Sequence, residues 1–469
     1  MLLLACILAP CAAPAQRIRR RNVAWKRRET ENRSIPRRRP VLVRARNPSS
    51  LAEWQARLSP ALSTGAVYAI FGVAYAVGNL SAARALDPVE YGRLALFLAV
   101  TNVALRIAPL GLDGMVNRYP GLDYGRRLVR RLMVGALPVA VGAAWLLGSL
   151  YQLSAFDRWA ILAATLFGAG AQLAAALFQS RHRYGASAVL DHGSDLFVAV
   201  AGAVALVAGL RSASIPVLII AAGHLALALI GSRMLRHPRT DGRPESEIRA
   251  TSGLPFTWAE SLTYAGIIAG VLTMQALDRL VIPRVLSLED LAMFGVLAVF
   301  TIAPLHMLQL GVERTLFPRL RQADGPRERV QILRREAITV IGLAAVFGIL
   351  AVLLAPPAAR LLLAGKYQLT TGLVAAAVAL GLIRVAAGFA RTVPAALGTL
   401  GELRRLNVFA WVGVGAGILG AIAGRNGGLA WVMLGTGAGW LVLVVAGTVI
   451  GAKCIGRRGG SQIDSAGEI

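Results

Sequence analysis

The sequence predicts an all-α polytopic membrane protein with about twelve transmembrane helices in two six-helix repeats. Three observations predict it. First, 56% of the 469 residues are hydrophobic and only 16% charged. The apolar residues fall in continuous, non-alternating runs of roughly 20, the length of helix that crosses a hydrocarbon core of about 30 Å. Only helices and closed barrels satisfy their backbone in lipid. Second, arginines collect in alternate loops. Third, the chain matches itself at an offset of 200 residues.

Taken in order, the first segment is "MLLLACILAPCAAPAQ". It carries an apolar core and an Ala13-Pro14-Ala15 site like those of signal peptides, but no positive n-region. The stretch that follows, "RIRRRNVAWKRRETENRSIPRRRP", resists export. Residues 1–50 are therefore read as a disordered basic cytoplasmic tail or an early start, in preference to a cleaved signal. At "SSLAEW", Ser50 and Glu53 form an expected capping box, and Leu51, Trp54 and Leu58 suit a short interfacial helix. The expected spans are 60–83, 92–115, 129–150, 159–180, 187–209, 213–235, 255–282, 291–312, 337–358, 370–396, 406–424 and 428–451. They divide into a six-helix lobe at 51–250, a second at 251–458, and a disordered cytoplasmic tail at 459–469.

Charge then orients the spans. The net charge of +26 does not point to nucleic acid, because the cations lie in the N-terminal block and between apolar runs. Loops after even-numbered spans read "RYPGLDYGRRLVRR", "RHRYG", "RMLRHPRTDGRPESEIR", "RLRQADGPRERVQILRR" and "LGTLGELRRLN". Loops after odd-numbered spans carry one or two cations, such as Arg158, Arg211 and Arg425. By the positive-inside rule both termini are cytoplasmic. No loop is long enough for a soluble domain, which argues against an enzyme. Cys6, Cys11 and Cys454 have neither disulfide nor metal spacing, and no cofactor motif is present.

At the 200-residue offset, Arg84 meets Arg284, Leu86 meets Leu286, Glu90 meets Asp290 and Thr101 meets Thr301. Gly111 then meets Gly311, and Asp113 meets Glu313. An even number of spans separates the copies, so they share one orientation. Parallel repeats of this kind are a transporter plan, with the substrate site between the halves near mid-depth.

Charges inside spans are costly and become candidates for function. Arg106 lies within a turn of the centre of span two, and His306 occupies the matching depth of span eight. Arg384 lies near the centre of span ten, with Arg391 about two turns closer to the cytoplasm. These four are the candidate anion contacts, since guanidinium pairs with phosphate bidentately. Glu260 and Asp278, at opposite ends of span seven, are candidates for a coupling cation or proton. His224 suits a helix–helix hydrogen bond. Arg84, Arg279 and Arg391 are close enough to an interface to snorkel. Asp113 and Glu313 suit pairing with loop arginines. Pro109 and Pro304 should interrupt spans two and eight.

"LDPVEYGRLALFLAVTNVALRIAPLGLDGMVNRY" resembles the span-one to span-two connection of the polysaccharide flippases. These belong to the multidrug/oligosaccharidyl-lipid/polysaccharide exporter superfamily. "LLAGKYQLTTG" looks like the family's outward turn after span nine, and "GLAWVMLGTGAGWLV" like its glycine-rich last span. The resemblance runs from about Leu51 to Arg458. It implies a V-shaped, alternating-access fold in the bacterial inner membrane. It also implies a polyprenyl-pyrophosphate-linked glycan as cargo, for O-antigen, capsule or exopolysaccharide (lipopolysaccharide included) assembly, with polymerase machinery as a partner. The expected protein is a monomer among membrane lipids. Span one has no charge at its middle, unlike the lipid II flippases. Two alternatives rank below: a cation-coupled multidrug exporter of the same superfamily, and a polyprenyl-dependent glycosyltransferase or polymerase.

Overall fold

The computed structural model describes residues 69–118, 126–181, 183–236, 258–323 and 325–456. The chain divides into two units, Met1–Leu58 and Ser59–Ile469, and the described residues all belong to the second. The basic N-terminal block, the capping box at Ser50 and Glu53, the helix around Trp54 and the tail at 459–469 lie outside the described residues.

Among the described residues all regular structure is helical. Span one is α1, residues 69–85. Span two is α2 (Pro88–Ile107) followed by the short α3 (Leu112–Arg118). Span three, α4, starts as Arg126–Gly142 and passes through a π-helical stretch, Ala143–Leu147, to Leu150. Span four is α5 (Ala155–Ser180); span five is α6 (Tyr184–His192) and α7 (Ser194–Val207); span six is α8 (Ser214–Arg236). The second half repeats the plan with α9 (Trp258–Val285), the pair α10 (Leu288–Phe300) and α11 (Ile302–Gln322), and α12 (Pro326–Leu362). It ends with α13 (Thr371–Leu397), α14 (Leu400–Gly424) and α15 (Gly428–Ile455).

Among the described residues, by length and hydropathy alone, six helices could cross a membrane, or eight if two bent pairs each count as one span. One of the six, Gly401–Ile455, is divided into α14 and α15 by a 3-10 turn at Arg425–Gly427. The spans that fall short are α1, described only from residue 69, and two helices weighted with charge. Those two are α2, with Glu90, Arg93 and Arg106, and α9, with Asp278, Arg279 and Arg284.

The repeat is visible in the element boundaries. α1 ends at 85 and α9 at Val285; α2 starts at Pro88 and α10 at Leu288. The halves differ in where the second span of each breaks. In the first half the break is Ala108–Gly111 and contains Pro109, with Leu110 and Gly111 both left-handed at φ 48 and 79. In the second it falls at Thr301, bending the pair by 51°, and Pro304 sits in the first turn of α11. There its missing N–H costs little, while its ring opposes continuation from the preceding helix. Three of the arginine-rich "loops" are helix as well: α4 begins at Arg126, α14 begins at Leu400 and includes Arg404 and Arg405, and α12 begins at Pro326 and runs for 37 residues. At 1.5 Å per residue α12 spans about 55 Å, well beyond the hydrocarbon core, so its basic first turns project past the lipid.

Within the first half α8 packs on α5 and α7; within the second, α15 packs on α13 and α14. α14 and α15 meet glycine to glycine: a Cβ on Gly413 would lie 2.7 Å from the Gly439 carbonyl oxygen. Small residues let membrane helices approach this closely. The halves meet where α2 packs on α9 and α10, around the fully buried Tyr91, Phe97 and Phe294.

At the end opposite the arginine-rich segments, side chains of each half hold helix ends of the other. Arg84 Nη1 donates to the Leu362 carbonyl at 3.2 Å, and Arg284 Nη1 to the Leu150 carbonyl at 2.9 Å. Lys366 Nζ donates to the carbonyls of Ala83 and Leu86, and the Tyr151 hydroxyl to Leu280 at 2.5 Å. Helix C-termini carry unsatisfied carbonyls and partial negative charge, which cations and hydroxyls satisfy. Two sister segments, Tyr151-Gln152-Leu153-Ser154 and Tyr367-Gln368-Leu369-Thr370, supply these turns. Each ends in an N-cap hydroxyl, Ser154 for α5 and Thr370 for α13.

Candidate functional site

A cavity of about 820 Å³ lies between the two halves. Its lining runs from mid-span residues to Phe317 and Leu403, near the arginine-rich ends of α11 and α14. Four arginines line it, Arg106, Arg279, Arg384 and Arg391, with His192, His224 and His306 and the carboxylates Asp191 and Asp195.

In the first half, α6 and α7 meet at Gly193 with a bend of 41°. The bend brings "DHGSD" to the cavity. Arg106 reaches over from α2 to pair with Asp191, Nη2 to Oδ1 at 3.3 Å, and both side chains stay partly exposed. Gln172 on α5 donates to the same carboxylate at 2.8 Å. The His192 ring bridges the two acids, Nε2 to Asp191 at 3.3 Å and Nδ1 to Asp195 at 3.4 Å. The cluster thus balances the arginine with carboxylates and keeps every member in contact with the cavity.

In the second half the Arg384–Asp278 pair is buried. Arg384 on α13 donates to Asp278 on α9, and the Thr436 hydroxyl of α15 donates to the other oxygen of that carboxylate. Asp278 is 1% exposed and the Arg384 side chain 12%. The Arg384 guanidinium also lies over the Trp440 ring, 5.3 Å from its centroid, a cation–π contact. This network ties three helices together, and only its arginine face and Trp440 reach the cavity.

The sequence candidates are distributed as follows. Arg106, His306, Arg384 and Arg391 line one cavity. His306 Nδ1 lies 3.4 Å from Gln309 Oε1, one turn along α11. Asp278 is enclosed by Arg384 and Thr436 rather than open to the cavity. Glu260 is on α9, with its side chain outside the described residues, as is that of Glu313 on α11. His224 bonds within its own helix, Nδ1 to the Ile220 carbonyl at 2.9 Å, rather than to a neighbour. Arg279 lines the cavity instead of snorkelling to an interface, and Arg84 caps α12. The cluster of Asp191, His192 and Asp195 lies outside the sequence candidates. Its signal is present in the sequence: three titratable residues within five positions at the start of an expected span. Among the described residues no group of histidines, cysteines or carboxylates has a metal-binding arrangement.

No family model matches the sequence, and no curated protein matches it. Solved structures do. One is the inward-facing conformation of a multidrug resistance MATE family transporter of the MOP superfamily, at 15% identity and TM-score 0.49, covering 82% of this chain and 94% of that one. Another is MATE in the straight conformation, at 16% identity and TM-score 0.44, covering 85% of this chain and 95% of that one.

Proposed function

We propose that the chain is a transporter that moves a polyprenyl-pyrophosphate-linked glycan across the bacterial inner membrane, for assembly of a surface polysaccharide. The observation that carries this reading is the cavity's charge: four arginines line it against Asp191, Asp195 and the enclosed Asp278, which leaves guanidinium in excess. A site with surplus guanidinium in a low-dielectric wall favours an anion, and phosphate best of all. The flippase-like turn and glycine-rich last span support the same class of cargo. Alternating access fits a cavity that reaches one end of the bundle while cross-half hydrogen bonds close the other. With the arginine-rich ends cytoplasmic, the cavity faces the leaflet in which such cargo would be loaded.

A second reading, export of an organic cation, is favoured by Asp191 and Asp195, whose carboxylates face the cavity. Mass spectrometry of membrane lipids from cells lacking the gene, beside complemented cells, decides between them. Accumulation of a lipid-linked oligosaccharide supports the first reading. Unchanged lipids together with new sensitivity to cationic drugs support the second.

A further inference from the structure

We propose that Arg279 is the residue that receives the anionic headgroup of the cargo. The inference rests on the anion reading of the cavity and assigns it to one side chain.

The four cavity arginines are not equivalent. Arg106 is paired with Asp191, and Arg384 with Asp278 and the Trp440 face. Arg391 also has a partner. Arg279 lines the cavity, half-buried, and among the described residues no carboxylate or hydrogen-bond acceptor meets it. Successive helix residues point about 100° apart. On α9 this turns Asp278 inward to α13 and α15 and leaves Arg279 facing the cavity. With no carboxylate beside it among the described residues, Arg279 leaves its charge available to an anion that enters the cavity. All its N–H donors are open in the fork that matches two phosphate oxygens. Gln275 lies one turn back on the same face of α9, and Asn102 lines the cavity from α2. Both add neutral amide donors, and neither brings a carboxylate that would repel an anion.

Paired arginines, by contrast, must give up a carboxylate before they can bind phosphate. Arg106 and Arg384 are therefore positioned to set the background potential, and Arg279 to make the direct contact.

The test uses the purified full-length protein in detergent, with calorimetric titration of geranyl diphosphate and of uncharged geraniol. The wild type should bind the diphosphate and prefer it to geraniol. Arg279→Gln should weaken diphosphate binding roughly ten- to hundredfold, the range for a hydrogen-bonded charge contact, and leave geraniol unaffected. Arg279→Lys should recover part of the loss. With no protein partner to lose, Arg279→Gln should keep the wild-type melting temperature, which separates a ligand contact from a structural role. Unchanged diphosphate affinity in Arg279→Gln, with the wild type binding, overturns the assignment alone. A wild type that ignores the diphosphate but binds tetraphenylphosphonium overturns the anion reading and this assignment together.

Discussion

Arg384 cannot be removed by itself without leaving the Asp278 carboxylate buried and unpaired, apart from the Thr436 hydroxyl. Breaking one member of such a pair costs about 3–5 kcal/mol, whereas replacing both members is far milder. Arg384→Gln should therefore lower protein level and melting temperature, and adding Asp278→Asn to it should recover most of the loss. A double-mutant cycle on melting temperature reads this directly; additive effects would show that the pair is not coupled. Arg106 differs. Its side chain is 37% exposed, and its partner Asp191 keeps Gln172 and His192 as other contacts. On the proposed function, Arg106→Ala should keep wild-type levels while changing transport, measured as lipid-linked oligosaccharide retained in cells. Position in the sequence makes the two arginines look alike, both central in apolar spans. The carboxylates that distinguish them sit 85 and 106 residues away, where no local pattern reveals them.

At the scale of elements, the helices and their order followed from apolar runs, and the breaks from Pro109 and Pro304. The π-helical stretch in α4 and the helical form of the basic segments at Arg126 and Pro326 did not, because a polar helix projecting past the lipid has the composition of a loop. The α14–α15 pairing makes a sharp prediction. Gly413→Val puts branched atoms where the Gly439 carbonyl lies 2.7 Å from a single added carbon. Overpacking should cost about 1–3 kcal/mol, seen as a lower melting temperature; no change would mean the helices can part freely. The cross-half bonds at the closed end make another. Arg84→Gln with Arg284→Gln removes both arginine caps. A cysteine placed at Gln275 should then react faster with a membrane-impermeant thiol reagent added on the side opposite the arginine-rich segments, and unchanged reactivity would show that these caps do not hold that end shut. Burial raises the Tyr151 phenol to about 12. The folded state therefore keeps this proton while the unfolded chain loses it near its ordinary 10, and the contribution falls away as pH climbs from about 10 to 12.

Across the whole molecule, duplication explains both the likeness and the difference of the halves. The offset of 200 survives in the ends of α1 and α9 and the starts of α2 and α10. The first half nevertheless keeps its charged cluster exposed to the cavity, while the second buries its own between three helices. By itself the sequence determined the helical class, the order of the helices, the repeat and the excess of arginine, because each is written in composition and short-range periodicity. Only the tertiary structure decided which arginine is already neutralised, by which acid, and which is left open. That outcome depends on helix rotation and on partners brought together from distant spans. A change of one residue in facing, about 100°, separates the enclosed Asp278 from the open Arg279.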